Sequence, residues 1–280
     1  MTNDAESLGT FLTDKQSVAV VSGAGVSTGS GIPDYRDRNG DWKHAQPMQY
    51  GEFVGSAEAR RRYWARSYVG WQHFSKAEPN AAHRVLANLE SAGKIDTLIT
   101  QNVDGLHQAA GSRRVIDLHG DLSNVRGLGC DAVTARADYQ RKLRQANPDW
   151  HADVHRYKPD GDAELAVNSH ADFVVPDCDT CGGVIKSDVV MFGESVPKQR
   201  VSDAMQAVER ADALLVVGSS LMVFSGFRFA KLAHANGKPI AIVNQGRTRA
   251  DDIAELKVEE DCSEALRSAE QRLFPGRGAR

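Results

Sequence analysis

Five short apolar stretches punctuate the chain, at residues 17–21, 95–100, 115–118, 213–217 and 239–243, each rich in Val, Ile, Leu or Ala with little polar alternation. Such runs predict strands buried on both faces, as in a parallel sheet. Between them the apolar positions take up a helical period. Asn80 is placed to cap a helix that carries Val85, Leu86 and Leu89 on its inner side and stops near Gly93. Ser225 is placed to start another that runs to about Asn236 and Gly237. Strands and helices in alternation predict an α/β fold, a doubly wound parallel Rossmann-like sheet with its ligands beyond the carboxyl ends of the strands.

Two segments break this rhythm. Residues 57–74 form a helical stretch dense in Arg, Tyr and Trp, and residues 121–187 lack a clear sheet pattern while holding three of the four cysteines. Both are expected to be insertions that build a second, smaller lobe. The chain then divides into a first Rossmann-like part (1–50), a helical insertion (51–78), a second part (79–120), the cysteine-bearing module (121–187) and a third part (188–280). Residues 149–162 and the Gly182-Gly183 pair read as loop, and residues 275–280 as a frayed end.

With 280 residues, 41% of them hydrophobic, the chain can bury a substantial core. A net charge of -3 gives no general pull toward nucleic acid or anionic membrane, so neither is an expected partner, and a basic partner must be recognised locally. No apolar run approaches the roughly 20 residues that span a bilayer. The polar opening, residues 1–15, does not look like a signal or transit segment, so a cytoplasmic location is expected. Four unevenly spaced cysteines do not make a disulfide framework, whereas Cys178 and Cys181 have metal-type spacing.

The first strand runs into Gly23-Ala24-Gly25, followed by Ser27, Thr28, Gly29 and Gly31. Glycines allow a sharp turn and close approach to a pyrophosphate, and a following helix start offers free N–H groups and a favourable dipole. The dehydrogenase fingerprint needs a third glycine at position 28, which is Thr, and no acidic ribose ligand follows at the expected interval. On the loop alone, a structural turn and a nucleotide site both stay open. Ile32-Pro33-Asp34-Tyr35-Arg36 continues it with a rigid proline, a carboxylate, an aromatic plate and a guanidinium suited to phosphate, or else forms a solvated loop. Gln101-Asn102-Val103-Asp104-Gly105-Leu106-His107 and Leu118-His119-Gly120 follow the next two strands. Polar groups at neighbouring strand ends are what an active-site crevice needs.

In order along the chain, residues 23–36, 101–107, 118–120, the Cys-x-x-Cys at 178 and 181, residues 189–194 and Gly218-Ser219-Ser220 resemble a sirtuin. Arg62-Tyr63-Trp64-Ala65-Arg66, Gly111-Ser112-Arg113-Arg114 and residues 218–229 resemble the class II sirtuins more narrowly, the group that holds the mitochondrial sirtuin-4 type. The resemblance implies an NAD-dependent protein-lysine deacylase acting on acyl-lysine proteins, which cleaves NAD to nicotinamide and transfers the acyl group to ADP-ribose. It makes His119 the general base, a role that an imidazole titrating near neutrality can fill. It places Asn102 and Asp104 on water, ribose and the nicotinamide carboxamide, with Gln101 and Val103 beside them. Gly23, Ala24, Gly25, Ser27, Pro33, Asp34, Tyr35 and Arg36 form one half of the cofactor site. Gly218, Ser219, Ser220, Asn244, Gly246 and Cys262 form the other. Val189, Val190 and Phe192 match the strand that pairs with substrate peptide and lines the acyl-lysine tunnel. His107 reads as a packed histidine.

The same resemblance implies a structural zinc held by two Cys-x-x-Cys pairs. Cys130, Cys178 and Cys181 are present, and Gly127 stands at the fourth position. Losing one thiolate weakens such a site unless another group completes the tetrahedron, and Asp131, His170 and Asp177 lack persuasive spacing for that. The module is therefore degenerate, and three reduced cysteines in a packed lobe are the alternative to bound zinc. Ser187 stands where the family commonly has proline. Desuccinylase-type sirtuins place a Tyr and an Arg in the helical insertion; here Arg60, Arg61, Arg62, Tyr63 and Arg66 read mostly as a solvated helix face. Mono-ADP-ribosyl transfer on the same fold is the alternative activity, and a non-catalytic NAD or ADP-ribose module a more distant one. Oligomeric state is silent in the sequence.

Overall fold

The computed structural model describes residues 4–43, 45–165 and 170–276, with the side chains of residues 4–6 left aside. Helix α1 (Asp4–Thr13) leads into β1 (Val18–Ser22), and the chain then passes through α2 (Tyr50–Gly55), α3 (Ala57–Phe74) and α4 (Ala81–Ser91) to β2 (Ile95–Thr100). Asn80 caps α4 as expected, its side-chain oxygen accepting from the Ala82 and His83 N–H groups. After α5 (Leu106–Ala109) and β3 (Val115–Asp117) the chain leaves the large sheet for β4 (Gly120–Gly127), β5 (Val133–Ala135), α6 (Arg136–Ala146), β6 (Val154–Tyr157), β7 (Ala163–Leu165) and β8 (Ile185–Val189). It returns through α7 (Lys198–Arg210), β9 (Ala213–Val217), α8 (Phe224–Ala235), β10 (Ile240–Val243), β11 (Leu256–Val258) and α9 (Cys262–Leu273).

The large sheet has the order β11-β10-β9-β1-β2-β3 and every pairing in it is parallel. Its order reverses between β1 and β9, which opens a crevice at their carboxyl ends. Alternate residues of the buried strands serve two cores. Val18, Val20, Leu215 and Val243 pack with α1, α4 and α9, while Ala19, Val21, Leu214 and Ile242 pack with α7 and α8. A third cluster holds the small lobe together, with Phe53, Tyr63, Trp64 and Tyr68 against Tyr139, Leu143, Phe173 and Ile185.

The small lobe departs from the sequence expectation. Residues 121–187 contain an antiparallel sheet of order β5-β4-β8 and the separate pair β6-β7, and the stretch 149–162 read as loop includes β6. A register shift between Gly120 and Val125 interrupts the alternation in β4, and every residue of β5 is exposed, so neither strand carries a period-2 signal. The expected frayed end is described only as far as Gly276, and residues 277–280 lie outside the described residues. No helix among the described residues is long and apolar enough to cross a membrane.

Candidate active site

The crevice between β1 and β9 is built on glycine contacts. The Gly25 N–H donates to the Gly218 carbonyl at 2.8 Å, and Gly218 has φ 60°, with a Cβ there falling 2.2 Å from the Val26 nitrogen. No side chain fits between these two turns. The segment after Gly23 is a seven-residue 3-10 helix, Ala24–Ser30, without a side-chain cap, so the expected helix dipole is small and the turn's backbone N–H groups matter more.

Above it lies one cavity of about 700 Å³. Gly23, Ala24, Gly25, Ser27, Asp34, Tyr35, Arg36, Gln101, Asn102, Val103, Asp104, His119, Val189, Val190, Phe192, Gly218, Ser219, Ser220 and Asn244 all line it. Pro33 and Cys262 line an adjoining cleft together with Gly25, Thr28, Gly218 and Asn244. Burial pushes the Cys262 thiol up to about 12, so it stays a neutral packing group. Gly246 lines neither space. Its φ of 95° and the backbone of Arg38, 2.5 Å from a Cβ placed there, give it a turn role instead.

The polar groups at the β1 and β2 ends are tied together. Ser27 Oγ donates to Asp104 Oδ2 at 2.7 Å, and Asn102 Nδ2 donates to Ser27 Oγ and to the Gly23 carbonyl, each at 3.1 Å. Burial raises the Asp104 carboxyl, while the Leu106 N–H, Ser27 and Asn102 oppose that shift. Gln101 Nε2 donates to Ser219 Oγ at 2.7 Å, linking the two halves of the crevice.

At the next strand end, His119 Nδ1 lies 2.9 Å from the Gln101 carbonyl and Nε2 lies 2.8 Å from Ser225 Oγ. A carbonyl only accepts, so Nδ1 carries the proton and the neutral ring presents the Nε2 lone pair toward Ser225. Burial holds the imidazole below its ordinary pKa, and Arg200 and Arg228 act in the same direction against the Gln101 hydrogen bond. The His119 carbonyl accepts the Val190 N–H at 2.7 Å, which fixes the end of β8 beside the ring. His107, by contrast, packs on His83 with ring centroids 4.8 Å apart and bonds Ser22 Oγ at 2.8 Å, the buried role expected of it.

The residues 33–36 are less free than a solvated loop. Asp34 pairs with Lys43, and Arg36 lies over Trp42 at 4.1 Å and donates to the Gly40 carbonyl. Tyr35, Trp42 and Phe192 form an edge-to-face aromatic group with centroids 5.7 to 6.3 Å apart. Sequence reasoning missed Trp42, Ser225, Arg228, Asp160 and Asp162, all of which line the cavity. Ser225 could have been found from its place in the first turn of α8, the helix that follows the Gly218-Ser219-Ser220 turn; the two aspartates lie in a stretch read as loop.

A Sir2 family model matches residues 23–225. The chain belongs to the Sir2 family. It is 53% identical over 264 residues to an NAD-dependent protein deacetylase of Bordetella bronchiseptica, covering 94% of this chain and 96% of that one. It is 47% identical over 259 residues to the NAD-dependent protein lipoamidase sirtuin-4, mitochondrial, of Bos taurus, covering 91% and 82%. A solved Sir2 with a p53 peptide and NAD+ superposes with a TM-score of 0.74 at 32% identity, covering 94% and 95%. The fold and the order of the site motifs agree with that membership.

The Sir2 small lobe carries the cysteine cluster. The Sγ atoms of Cys130, Cys178 and Cys181 lie within 4.8 Å of one another, with Cys130 and Cys178 at 3.7 Å. Zinc-sulfur bonds of about 2.3 Å in a tetrahedron set the sulfurs about 3.8 Å apart, so this spacing fits a metal. A Cβ on Gly127 would lie 2.8 Å from Cys178 Sγ and 2.9 Å from Cys130 Sγ, which places the missing fourth ligand there. Neither Asp131, His170 nor Asp177 joins the cluster among the described residues. The three thiols would hold a zinc that ties the turn between β4 and β5 to the 178–181 turn, a structural role away from the cavity. Ser187, at the proline position, is buried and accepts a hydrogen bond from the Tyr63 hydroxyl at 2.8 Å.

Proposed function

We propose that this chain is an NAD-dependent protein-lysine deacylase in which His119 is the general base. The observation that carries the reading is the orientation of His119: a neutral ring, its Nδ1–H fixed by the Gln101 carbonyl, aims Nε2 into the cavity that the glycine loop lines. A neutral imidazole so placed can take a proton from a hydroxyl held in that cavity.

NAD is consumed as a second substrate: the acyl-lysine oxygen bonds the ribose carbon as nicotinamide leaves, a ribose hydroxyl then takes the acyl carbon, and one water supplies the oxygen that lets the lysine amine depart and leaves acyl-ADP-ribose. The glycine contacts between residues 23–25 and Gly218 give the pyrophosphate close backbone approach. Asp104 and Asn102, braced by Ser27, hold the carboxamide and ribose side. Nε2 takes a proton from a ribose hydroxyl, displacing the Ser225 hydroxyl as partner, and returns it as the acyl group moves. Val189 and Val190 offer a backbone edge to an extended peptide, and the Tyr35, Trp42 and Phe192 group limits the access of bulk water to the reacting atoms.

The test is nicotinamide release and acyl-ADP-ribose formation from NAD with an acyl-lysine peptide. Release that depends on the peptide supports the reading. Release with label appearing on a protein acceptor and no acyl-ADP-ribose would replace it with ADP-ribosyl transfer.

A further inference from the structure

The cavity has an end that neither the glycine loop nor His119 explains. Residues 158–162 fold back into its small-lobe wall, with the Lys158 N–H on the Asp162 carbonyl at 2.8 Å and Gly161 at φ 73°. Gly70 of α3 lets this turn approach closely: a Cβ there would lie 2.2 Å from the Gly161 carbonyl oxygen. The turn is thus seated in one place. It presents Pro159, Asp160 and Asp162 to the cavity beside Tyr63.

The charges at this end are already arranged. Nε of Arg66 donates to Asp162 Oδ2 at 2.9 Å and Nη2 converges on the same oxygen. Asp162 is buried, and its Oδ1 has no hydrogen-bond partner among the described residues. Arg66 and Tyr63 are therefore not the solvated helix face read from the sequence; Tyr63 is buried and Arg66 is bound inside the chain. Burial, then Asp162, pushes the Asp160 carboxyl up to about 7, and burial together with the two aspartates raises the Tyr35 hydroxyl.

On the reading of the chain as a lysine deacylase, we propose that Asp160, Asp162 and Arg66 set its acyl preference. The small-lobe end takes an acyl group whose far end carries a hydroxyl or amide hydrogen-bond donor, and turns away one ending in a carboxylate. A donor finds acceptor oxygens there, one of them unpartnered, and satisfying such an oxygen removes a standing cost. A carboxylate meets two carboxyl groups of its own kind, and the guanidinium that could have received it is held by Asp162.

The experiment compares butyryl-, 3-hydroxybutyryl- and succinyl-lysine versions of one peptide, by kcat/KM with NAD and by equilibrium binding of the same peptides without it. The wild-type protein is expected to favour 3-hydroxybutyryl over butyryl by about tenfold, the effect of one hydrogen bond to an acidic group, and to turn over succinyl about tenfold less well than butyryl. Asp162→Asn frees Arg66 and should raise the succinyl-to-butyryl ratio about tenfold. Asp160→Ala, outside the ion pair, should bring the 3-hydroxybutyryl-to-butyryl ratio toward one. A folding defect lowers all three chains together and leaves these ratios in place. A wild-type preference for succinyl, or ratios unmoved in both variants, would overturn the proposal. If no chain is turned over, the deacylase reading fails, and the binding ratios decide this one separately.

Discussion

The hydroxyl of Ser225 stands 2.8 Å from Nε2 of His119, at the one ring nitrogen that the Gln101 carbonyl leaves free. On the proposed reading, α8 thus supplies a hydroxyl at the place where a ribose hydroxyl is to arrive. His119→Ala removes the acceptor altogether. Turnover should fall by about 10²- to 10⁴-fold, while NAD affinity measured by calorimetry changes little, because the glycine contacts are untouched. Turnover at the wild-type rate would refute the assignment of the base.

Ser225→Ala tests the same contact more gently. A hydroxyl that donates to Nε2 favours the neutral ring, so its loss should move the acid limb of the kcat/KM profile to higher pH. Burial keeps the His119 pKa below 6.5 in the wild-type protein, and the acid limb should accordingly lie below that value. An acid limb at or above pH 6.5 in the wild type would contradict the buried, neutral ring.

The close contact between Gly25 and Gly218 makes a sharp prediction for the nucleotide side. Gly218→Ala places a methyl 2.2 Å from the Val26 nitrogen at φ 60°, where the backbone on both sides has to move. The expected cost is on the order of 2 kcal/mol or more in stability, with NAD binding lost even at temperatures where the protein stays folded. Denaturant unfolding and NAD titration check the two effects separately.

What the sequence shows of this molecule follows from which signals are local. The buried strand Ala213–Val217 is a continuous apolar run and Ile95–Thr100 is rich in β-branched residues, so both are legible, and the Asn80 cap announces α4 within a few residues. Strand β5 and the β6-β7 pair are short and largely exposed, paired only with near neighbours in sequence, and leave no period to read. The site divides in the same way. His119, Asn102 and Asp104 sit directly after strands and are legible; Asp160, Asp162 and Trp42 reach the cavity only because long-range packing folds their loops over it. Gly246 follows a site strand as well, yet its role is set by the Arg38 backbone, which no local pattern reveals.

Gly127 has an ordinary backbone conformation and its missing side chain points at two sulfurs. Gly127→Cys should therefore complete a four-thiolate site without backbone strain, the sulfurs of Cys130 and Cys178 giving way slightly. Metal analysis of protein purified without chelator should find less than one zinc per chain in the wild type and close to one in the variant. The variant's thermal midpoint should rise and then fall on treatment with chelator, since metal binding to a folded site is linked to folding. Stoichiometric zinc in the wild type would show that the three thiols suffice with water or another ligand.

Asp160 makes stability depend on pH. Its carboxyl has a folded-state pKa of about 7, raised first by burial and then by Asp162, with Arg66 and Lys158 opposing; Tyr35 and Tyr63, which face the same pair, stay protonated. An unfolded aspartate titrates near 3.9, so the folded state binds the proton more tightly. The contribution is fully present below about pH 4 and is lost as pH rises through about 7. Above that, the folded protein carries a half-buried carboxylate beside the buried one of Asp162. Asp160→Asn removes the charge and keeps the shape, so it should raise the thermal midpoint at pH 8.5 by more than at pH 5.5. The difference is expected to be on the order of 1 kcal/mol, or about 2–4 °C for a chain of this size. Scanning calorimetry at the two pH values reads it directly. An equal shift at both would mean that Asp160 is ionised in the folded state throughout, and that the turn at residues 158–162 holds its two carboxylates without a proton between them.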